Sequence, residues 1–583
     1  MKPDTEFPDP LSEESRPLDA VLHAALARAT QGISPIAVAL AYMDWLTHLA
    51  TSPGKQQELA RKALRKLTRL ALYTGGAAGD WPRSIEPLPQ DHRFDHPEWG
   101  RWPFDVLHQA FLLVQQWWWN ATTSVHGVTR HHEDVVTFMT RQWLDMFSPS
   151  NFLLSNPEVL RETWRTAGMN LVHGGQNWWE DAMRLVANRP PAGLEDFKVG
   201  ENLATTRGKV ILRNHLIELI QYEPKTESVR PEPLLIVPSW IMKYYILDLS
   251  PANSLVRYLV DSGYTVFMIS WKNPGSEDRN VDLRAYLRHG VFAAIDAVEK
   301  AIPGRGIHAL GYCLGGTLLA LAAAALARDS DTRLASLSLL ASELDFTEPG
   351  ELGLFIDESQ VAFLEDIMWA RGYLDGKEMA GAFTLLNSKD LVWSRLVRDY
   401  LMGERRPLTD LMAWNADTTR MPYRMHSEYL RNLYIGNDLA EGRYEVDGRA
   451  VALTDIRLPM FVVGTERDHV SPWRSVYKAH LLTDTEVTFA LTTGGHNVGI
   501  VNPPGDGVPG RGYRIATRAH DDRYIEPDMW FELAQRHDGS WWPALLAWLD
   551  SRSGEPLAPP GMGAPQAGLP PLCDAPGRYV LPV

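Results

Sequence analysis

Ile307-His308-Ala309-Leu310-Gly311-Tyr312-Cys313-Leu314-Gly315-Gly316 reads as an apolar strand that ends in a tight turn and feeds an Ala-rich helix, Thr317 to Ala327. Small residues two before and two after Cys313 let strand and helix approach closely, so the side chain between them stands on a strained elbow. This is the setting of a nucleophile elbow, with cysteine where serine is usual. The sulfur is expected near the N-terminus of the helix, whose dipole favours thiolate. A free thiol is only a few per cent ionised at neutral pH, so a base is required as well. The uncharged run Gly306 to Ala327 is long enough to raise a membrane-spanning helix, but Gly311, Gly315 and Gly316 break it into strand, turn and helix. No transmembrane segment is expected.

Around the elbow, apolar runs alternate with helical patterns: Leu234 to Val237, Thr265 to Ser270, Ile307 to Leu310, Leu334 to Leu340, Pro459 to Val463 and Val487 to Leu491. Strands spaced by helices predict a doubly wound, mostly parallel sheet, and with the elbow they predict an α/β-hydrolase fold. The expected division is a helical extension with a disordered start over 1–95, a helical domain over 96–205 and a catalytic domain over 206–583. Within the last, helical and irregular sequence at about 346–450 reads as a cap inserted between two core strands, and Gly554 to Pro571 as an extended Pro/Gly-rich tail. In the extension, Ser34-Pro35 and Ser52-Pro53 each place an N-cap before proline at the first helical position. The helix after Ser52 sets Leu59, Ala63, Leu67 and Leu70 on one face and carries a basic, solvated face around the rest. Trp117-Trp118-Trp119 and Trp178-Trp179 fall in helical patterns and are expected to pack in the core. His131-His132-Glu133 is not a metal site on this reading, because adjacent helical residues diverge and no ligand follows at i+3 or i+4.

A nucleophile elbow needs an acid and a histidine, in that order, on loops after later strands. Asp468 lies in Gly464-Thr465-Glu466-Arg467-Asp468-His469, directly after the run Pro459 to Val463. His496 lies in Gly494-Gly495-His496-Asn497, after Val487 to Leu491. Their separation of 28 residues fits one helix and one strand. Glu466 and Asp455 compete for the acid's place, and His469 for the base's. Asp455 precedes its strand and His469 adjoins the acid, so Cys313, Asp468 and His496 are the catalytic expectation. The oxyanion hole is expected from the N–H of Leu314 and an N–H near Trp240-Ile241, with Ile241 as the donor.

Composition narrows the partners. The chain of 583 residues is 45% hydrophobic and 22% charged, ordinary globular values, and its length exceeds one core. With 57 Lys and Arg against 72 Asp and Glu, the net charge of −15 repels phosphate backbones, so nucleic acid is not expected. Two cysteines, Cys313 and Cys573, are too few for a disulfide framework and fit a reducing compartment, hence a cytoplasmic reading. The polar, acidic start shows no signal-peptide pattern. The 21 Trp are many for packing alone and point to an apolar partner.

Several further blocks carry a resemblance: Asn151-Phe152-Leu153 with Asn156-Pro157-Glu158, the run Val237 to Leu249 (VPSWIMKYYILDL), Ser270-Trp271-Lys272-Asn273-Pro274, Asn387 to Trp393 (NSKDLVW), Gly539-Ser540-Trp541-Trp542-Pro543 and Pro576-Gly577-Arg578-Tyr579-Val580. Together with the G-x-C-x-G-G box at Gly311 to Gly316, they make the chain resemble the polyhydroxyalkanoate synthases along nearly its whole length, most like class I. The resemblance implies (R)-3-hydroxyacyl-CoA, chiefly 3-hydroxybutyryl-CoA, as substrate, with polyester and free CoA as products. It further implies an acyl-cysteine on Cys313, the family's acid on Asp468 and its histidine on His496, no cofactor, a homodimer, and residence on cytoplasmic polyester granules. Arg431, in Glu428-Tyr429-Leu430-Arg431, is the expected contact for CoA phosphates. A cysteine thioesterase of the same fold and a non-catalytic granule-associated protein are the competing readings.

Overall fold

The six apolar runs become the middle of one sheet. In the computed structural model, which describes residues 22–27, 30, 32–75, 83–88, 90–376, 378–379, 392–505 and 510–581, the sheet strands are β1 (Gly208–Arg213), β2 (Ile217–Tyr222), β3 (Leu234–Val237), β4 (Val266–Trp271), β5 (Ile307–Tyr312), β6 (Leu334–Leu340), β7 (Met460–Thr465), β8 (Val487–Thr492), β9 (Gly512–Arg518), β10 (Gln535–Asp538) and β11 (Cys573–Asp574). Their spatial order is β10-β9-β8-β7-β6-β5-β3-β4-β2-β1-β11. From β8 across to β4 every pairing is parallel. The flanking pairs are antiparallel. β3, β4, β5, β7 and β8 are buried at every position, as parallel strands covered on both faces must be.

The chain divides into two compact units, one of Thr30–Glu195 with Gly381–Leu408, the other of Met1–Ala29, Asp196–Ala380 and Thr409–Val583. The first is helical. Ser34 caps helix Pro35–Ala50 by accepting the Ala37 N–H at 3.3 Å, and Pro53 opens helix Pro53–Gly75. On the latter helix Leu59 is buried but Leu67 is 63% exposed, so the apolar stripe read from sequence is only partly used. Asn156 caps Pro157–Arg165 by accepting from the N–H groups of Glu158 and Val159. Helix Met169–Val186 meets Leu396–Leu401 so closely at Gly174 that a Cβ there would overlap the Tyr400 carbonyl, and Asn170 and Asn177 donate to the Leu401 and Asp399 carbonyls. One stretch of the expected cap thus belongs to this helical unit. The Trp runs do not pack as expected: Trp119, Trp178 and Trp179 are 60%, 54% and 62% exposed, and only Trp117 and Trp118 are half-covered. His132 bonds Asp44 at 2.6 Å. Asn387 to Leu391 of the NSKDLVW block, and residues 1–21, where a disordered start was expected, lie outside the described residues.

In the second unit the rest of the insertion forms short helices, among them Glu358–Arg371, Asp410–Ala416 and Tyr423–Tyr429. The C-terminal stretch is not extended throughout, since Pro565–Ala567 form a 3-10 turn, and it pairs with the sheet through β11, whose Lys209↔Asp574 and Val210↔Cys573 register covers the edge of β1. Buried Glu218 on β2 accepts from the N–H groups of Arg578 and Tyr579 at 2.8 and 3.0 Å, which fixes the Pro576 to Val580 block. Among the described residues no helix is long and apolar enough to cross a membrane.

Candidate active site

Cys313 joins β5 to helix Leu314–Arg328 with φ 52° and ψ −129°, a backbone state in which a Cβ is strained. Glycines make that turn possible. A Cβ at Gly311 would overlap the Gly316 Cα, one at Gly315 the Val237 carbonyl, and one at Gly316 the Ser342 Oγ. Strand, helix and the two neighbouring loops therefore close on one another at van der Waals distance. The Cys313 N–H donates to the Leu340 carbonyl at 2.9 Å, which ties the elbow to the end of β6.

The loops after β7 and β8 bring the acid and the base together. Asp468 Oδ2 accepts from His496 Nδ1 at 2.8 Å and from Thr465 Oγ1 at 2.8 Å, while Oδ1 accepts from the Val470 and Ser471 N–H groups at 2.9 and 2.8 Å. Burial alone would raise the carboxyl pKa. The His496 charge and these donated hydrogen bonds outweigh it and hold the pKa below the usual range. For His496, burial opposes charge, but the Asp468 carboxylate and the Cys313 sulfur outweigh it and hold the imidazole pKa well above its ordinary value. Cys313, His496 and Asp468 are thus mutual neighbours, a set able to draw a proton from sulfur and hold it on an imidazole. His469 and Asp455 are exposed, and Glu466 is half-buried.

The loop after β3 is pinned from several sides. Trp271 Nε1 donates to the Pro238 carbonyl, Thr419 Oγ1 to the Trp240 carbonyl and Trp414 Nε1 to the Lys243 carbonyl, each at 2.8–2.9 Å. Because the peptide is planar and trans, fixing the Trp240 carbonyl on Thr419 turns the Ile241 N–H the opposite way. The Leu314 N–H is in the first turn of the elbow helix, among donors that the helix itself does not use. The guanidinium of Arg431, the residue expected to contact CoA phosphates, pairs with Glu365 at 3.1 Å and Glu358 at 2.5 Å.

Sequence reasoning gave no role to two residues here, Glu343 and Tyr312, nor to an aromatic file. Glu343, two residues beyond the left-handed Ala341 (φ 47°) that ends β6, is 3% exposed. The signal was available, since it follows the carboxyl end of a central parallel strand, where open α/β sheets build their sites. Tyr312 donates to Asn497 Oδ1 at 2.6 Å, and its ring lies 5.7 Å from that of His496. An aromatic file runs Trp240, Tyr429, Tyr434, Phe346, with successive centroids 5.9, 5.3 and 4.7 Å apart.

Residues 90–259 match the family described as "Poly-beta-hydroxybutyrate polymerase (PhaC) N-terminus", residues 13–55 match "Poly-beta-hydroxybutyrate polymerase N terminal", and residues 232–503 match "alpha/beta hydrolase fold". The poly(3-hydroxyalkanoate) polymerase of Methylorubrum extorquens is 40% identical over 501 residues, 85% of this chain and 81% of the relative. The chain belongs to the poly(3-hydroxyalkanoate) polymerase family. The polymerase subunit of Rhizobium meliloti is 38% identical, covering 92% of this chain and 86% of its own, and that of Cupriavidus necator 34% identical, covering 92% and 90%. The fold of this polymerase-family chain is the α/β-hydrolase fold.

Proposed function

We propose that this member of the polymerase family, an acyltransferase, builds polyester through an acyl-enzyme on Cys313. The observation that carries the reading is the 2.8 Å bond between His496 Nδ1 and Asp468 Oδ2 beside an elbow cysteine. His496 takes the thiol proton as sulfur attacks the thioester of an (R)-3-hydroxyacyl-CoA, with 3-hydroxybutyryl-CoA as the principal substrate. The Leu314 and Ile241 N–H groups hold the oxyanion, CoA leaves as a thiol, and the acyl group remains on sulfur. Elongation follows when a 3-hydroxyl loses its proton to His496, oriented by Asp468, and attacks an acyl thioester. The new ester forms as the C–S bond breaks. No cofactor or metal enters this scheme.

The bonds of Thr419 and Trp414 to the loop after β3 support a cap that limits water, which would otherwise hydrolyse the intermediate. The chain works as a homodimer on cytoplasmic polyester granules. Exposed Trp119, Trp164, Trp178 and Trp179 of the helical unit support contact with an apolar surface. Incubating the protein with (R)-3-hydroxybutyryl-CoA, following free CoA and insoluble polyester together, tests the reading. Polymer with stoichiometric CoA is expected, and CoA with only free 3-hydroxybutyrate would replace the polymerase by a thioesterase.

A further inference from the structure

Glu343 is a carboxyl that the scheme above does not use. The segment Leu340 to Glu343 is fixed on three sides, between the elbow and the acid. The Leu340 carbonyl accepts from the Cys313 N–H, the Ala341 N–H donates to the Val463 carbonyl at 2.8 Å, and the Glu343 carbonyl accepts from Thr317 Oγ1 at 2.8 Å on the elbow helix. Since β5, β6 and β7 are adjacent in the sheet, this loop is held between Cys313 and the Thr465 to Asp468 loop. The side chain is buried, and among the described residues Glu343 Oε1 has no hydrogen-bond partner. A buried polar atom left unpaired costs free energy and is uncommon in a folded protein, which makes a missing ligand the natural partner. Phe346, three residues on, ends the aromatic file that starts at Trp240 beside the oxyanion loop. A largely aromatic wall with a buried carboxyl at its foot has the character of a site for a small acyl chain that bears an oxygen.

We propose that Glu343 Oε1 hydrogen-bonds the 3-oxygen of the acyl group carried on Cys313, which makes Glu343 a specificity-determining residue for substrates oxygenated at that carbon. The inference rests on the acyl-cysteine reading above. The 3-oxygen lies four bonds from the sulfur, on the part of the substrate that distinguishes a 3-hydroxyacyl group from a plain fatty acyl group. Burial, and then the nearby Asp468 carboxylate, push the Glu343 pKa well above the carboxylate range, which favours the neutral acid. A neutral acid both accepts and donates. It takes a hydrogen bond from the free 3-hydroxyl, and it gives one to the same oxygen once that oxygen is part of an ester. An ionised carboxylate could serve only the first state.

The test compares acylation by (R)-3-hydroxybutyryl-CoA with acylation by butyryl-CoA, which lacks the hydroxyl, by rapid quench with chromatographic measurement of CoA and mass measurement of the protein. In E343L the ratio of the two acylation rates falls about fivefold, the worth of one neutral hydrogen bond, and in E343Q it stays within about twofold of wild type. E343M, unbranched like Glu, is read in the same way if E343L does not fold. An unchanged ratio in the folded apolar variant, or equal loss with both substrates, overturns the proposal and leaves Glu343 a structural residue. If wild type forms no acyl-Cys313 with either substrate, the acyl-cysteine reading itself falls.

Discussion

Replacing Cys313 by glycine should leave the protein more stable than replacing it by alanine, the reverse of the usual order. At an ordinary strand or helix position glycine costs about 0.5–1 kcal/mol relative to alanine. Cys313 sits at φ 52° and ψ −129°, where any residue with a Cβ carries strain of about 1–3 kcal/mol and glycine carries almost none. Glycine's greater freedom in the unfolded chain takes back about 0.4–1 kcal/mol. Both variants lose the same buried thiol, so that loss cancels between them. The balance favours Cys313→Gly by about 1 kcal/mol. Urea-unfolding midpoints by far-UV circular dichroism, with slopes compared so that only stability is read, measure it directly. A higher midpoint for Cys313→Ala would refute the idea that the elbow holds its nucleophile under strain. The confirming order would place the strain at the proposed nucleophile itself, as a cost the fold sustains for holding sulfur beside His496.

Three further outcomes follow from the same geometry. Cys313→Ala should abolish acyl labelling, while Cys573→Ser, which removes only a sulfur accepting from Arg213 at 3.2 Å on the sheet edge, should keep it; mass spectrometry of quenched protein decides. Asp468→Asn should lower stability most between about pH 4 and 6.5. The raised His496 pKa contributes fully below its unfolded value and is lost as pH rises through the folded one, whereas the lowered Asp468 pKa contributes above its unfolded value and is lost in acid; a gap that widened above neutrality in urea midpoints would contradict this. Glu218→Ala should cost about 1.5–3 kcal/mol, because the side chain is fully buried, pairs with Arg213 and accepts from Arg578 and Tyr579, and limited proteolysis should then cut the C-terminal stretch faster.

The middle of the fold was legible because its strands are short, continuously apolar and separated by helices, and the elbow announced itself by glycine spacing. What hid β2 was Glu218 and Gln221, polar residues in a strand buried at every position. They are satisfied from far along the chain, Gln221 by the Gly561 carbonyl and the Gly563 N–H, so no local pattern could reveal the strand. The ion pairs of Arg431 were hidden because the carboxylates that engage it lie more than a helix earlier in sequence. Trp178 and Trp179 followed a helical pattern, but periodicity gives only a face, not whether anything covers it. Glu343 was overlooked because no motif contains it; only the packing of three loops around the end of β6 sets it apart.

The two outer margins of the sheet are finished in different ways. β10 is four residues long and reads Gln535-Arg536-His537-Asp538, polar throughout and mostly exposed. At the other margin β11 is two residues long, between Pro570-Pro571 and Pro576, and proline has no N–H to offer a newcomer. An open margin is a template on which a second molecule can lay a strand. On the polyester surface proposed above, copies gathered side by side would meet at high local concentration, where such templating is most damaging. With one margin charged and the other closed by prolines, neighbouring copies can crowd together without stitching their sheets into an aggregate.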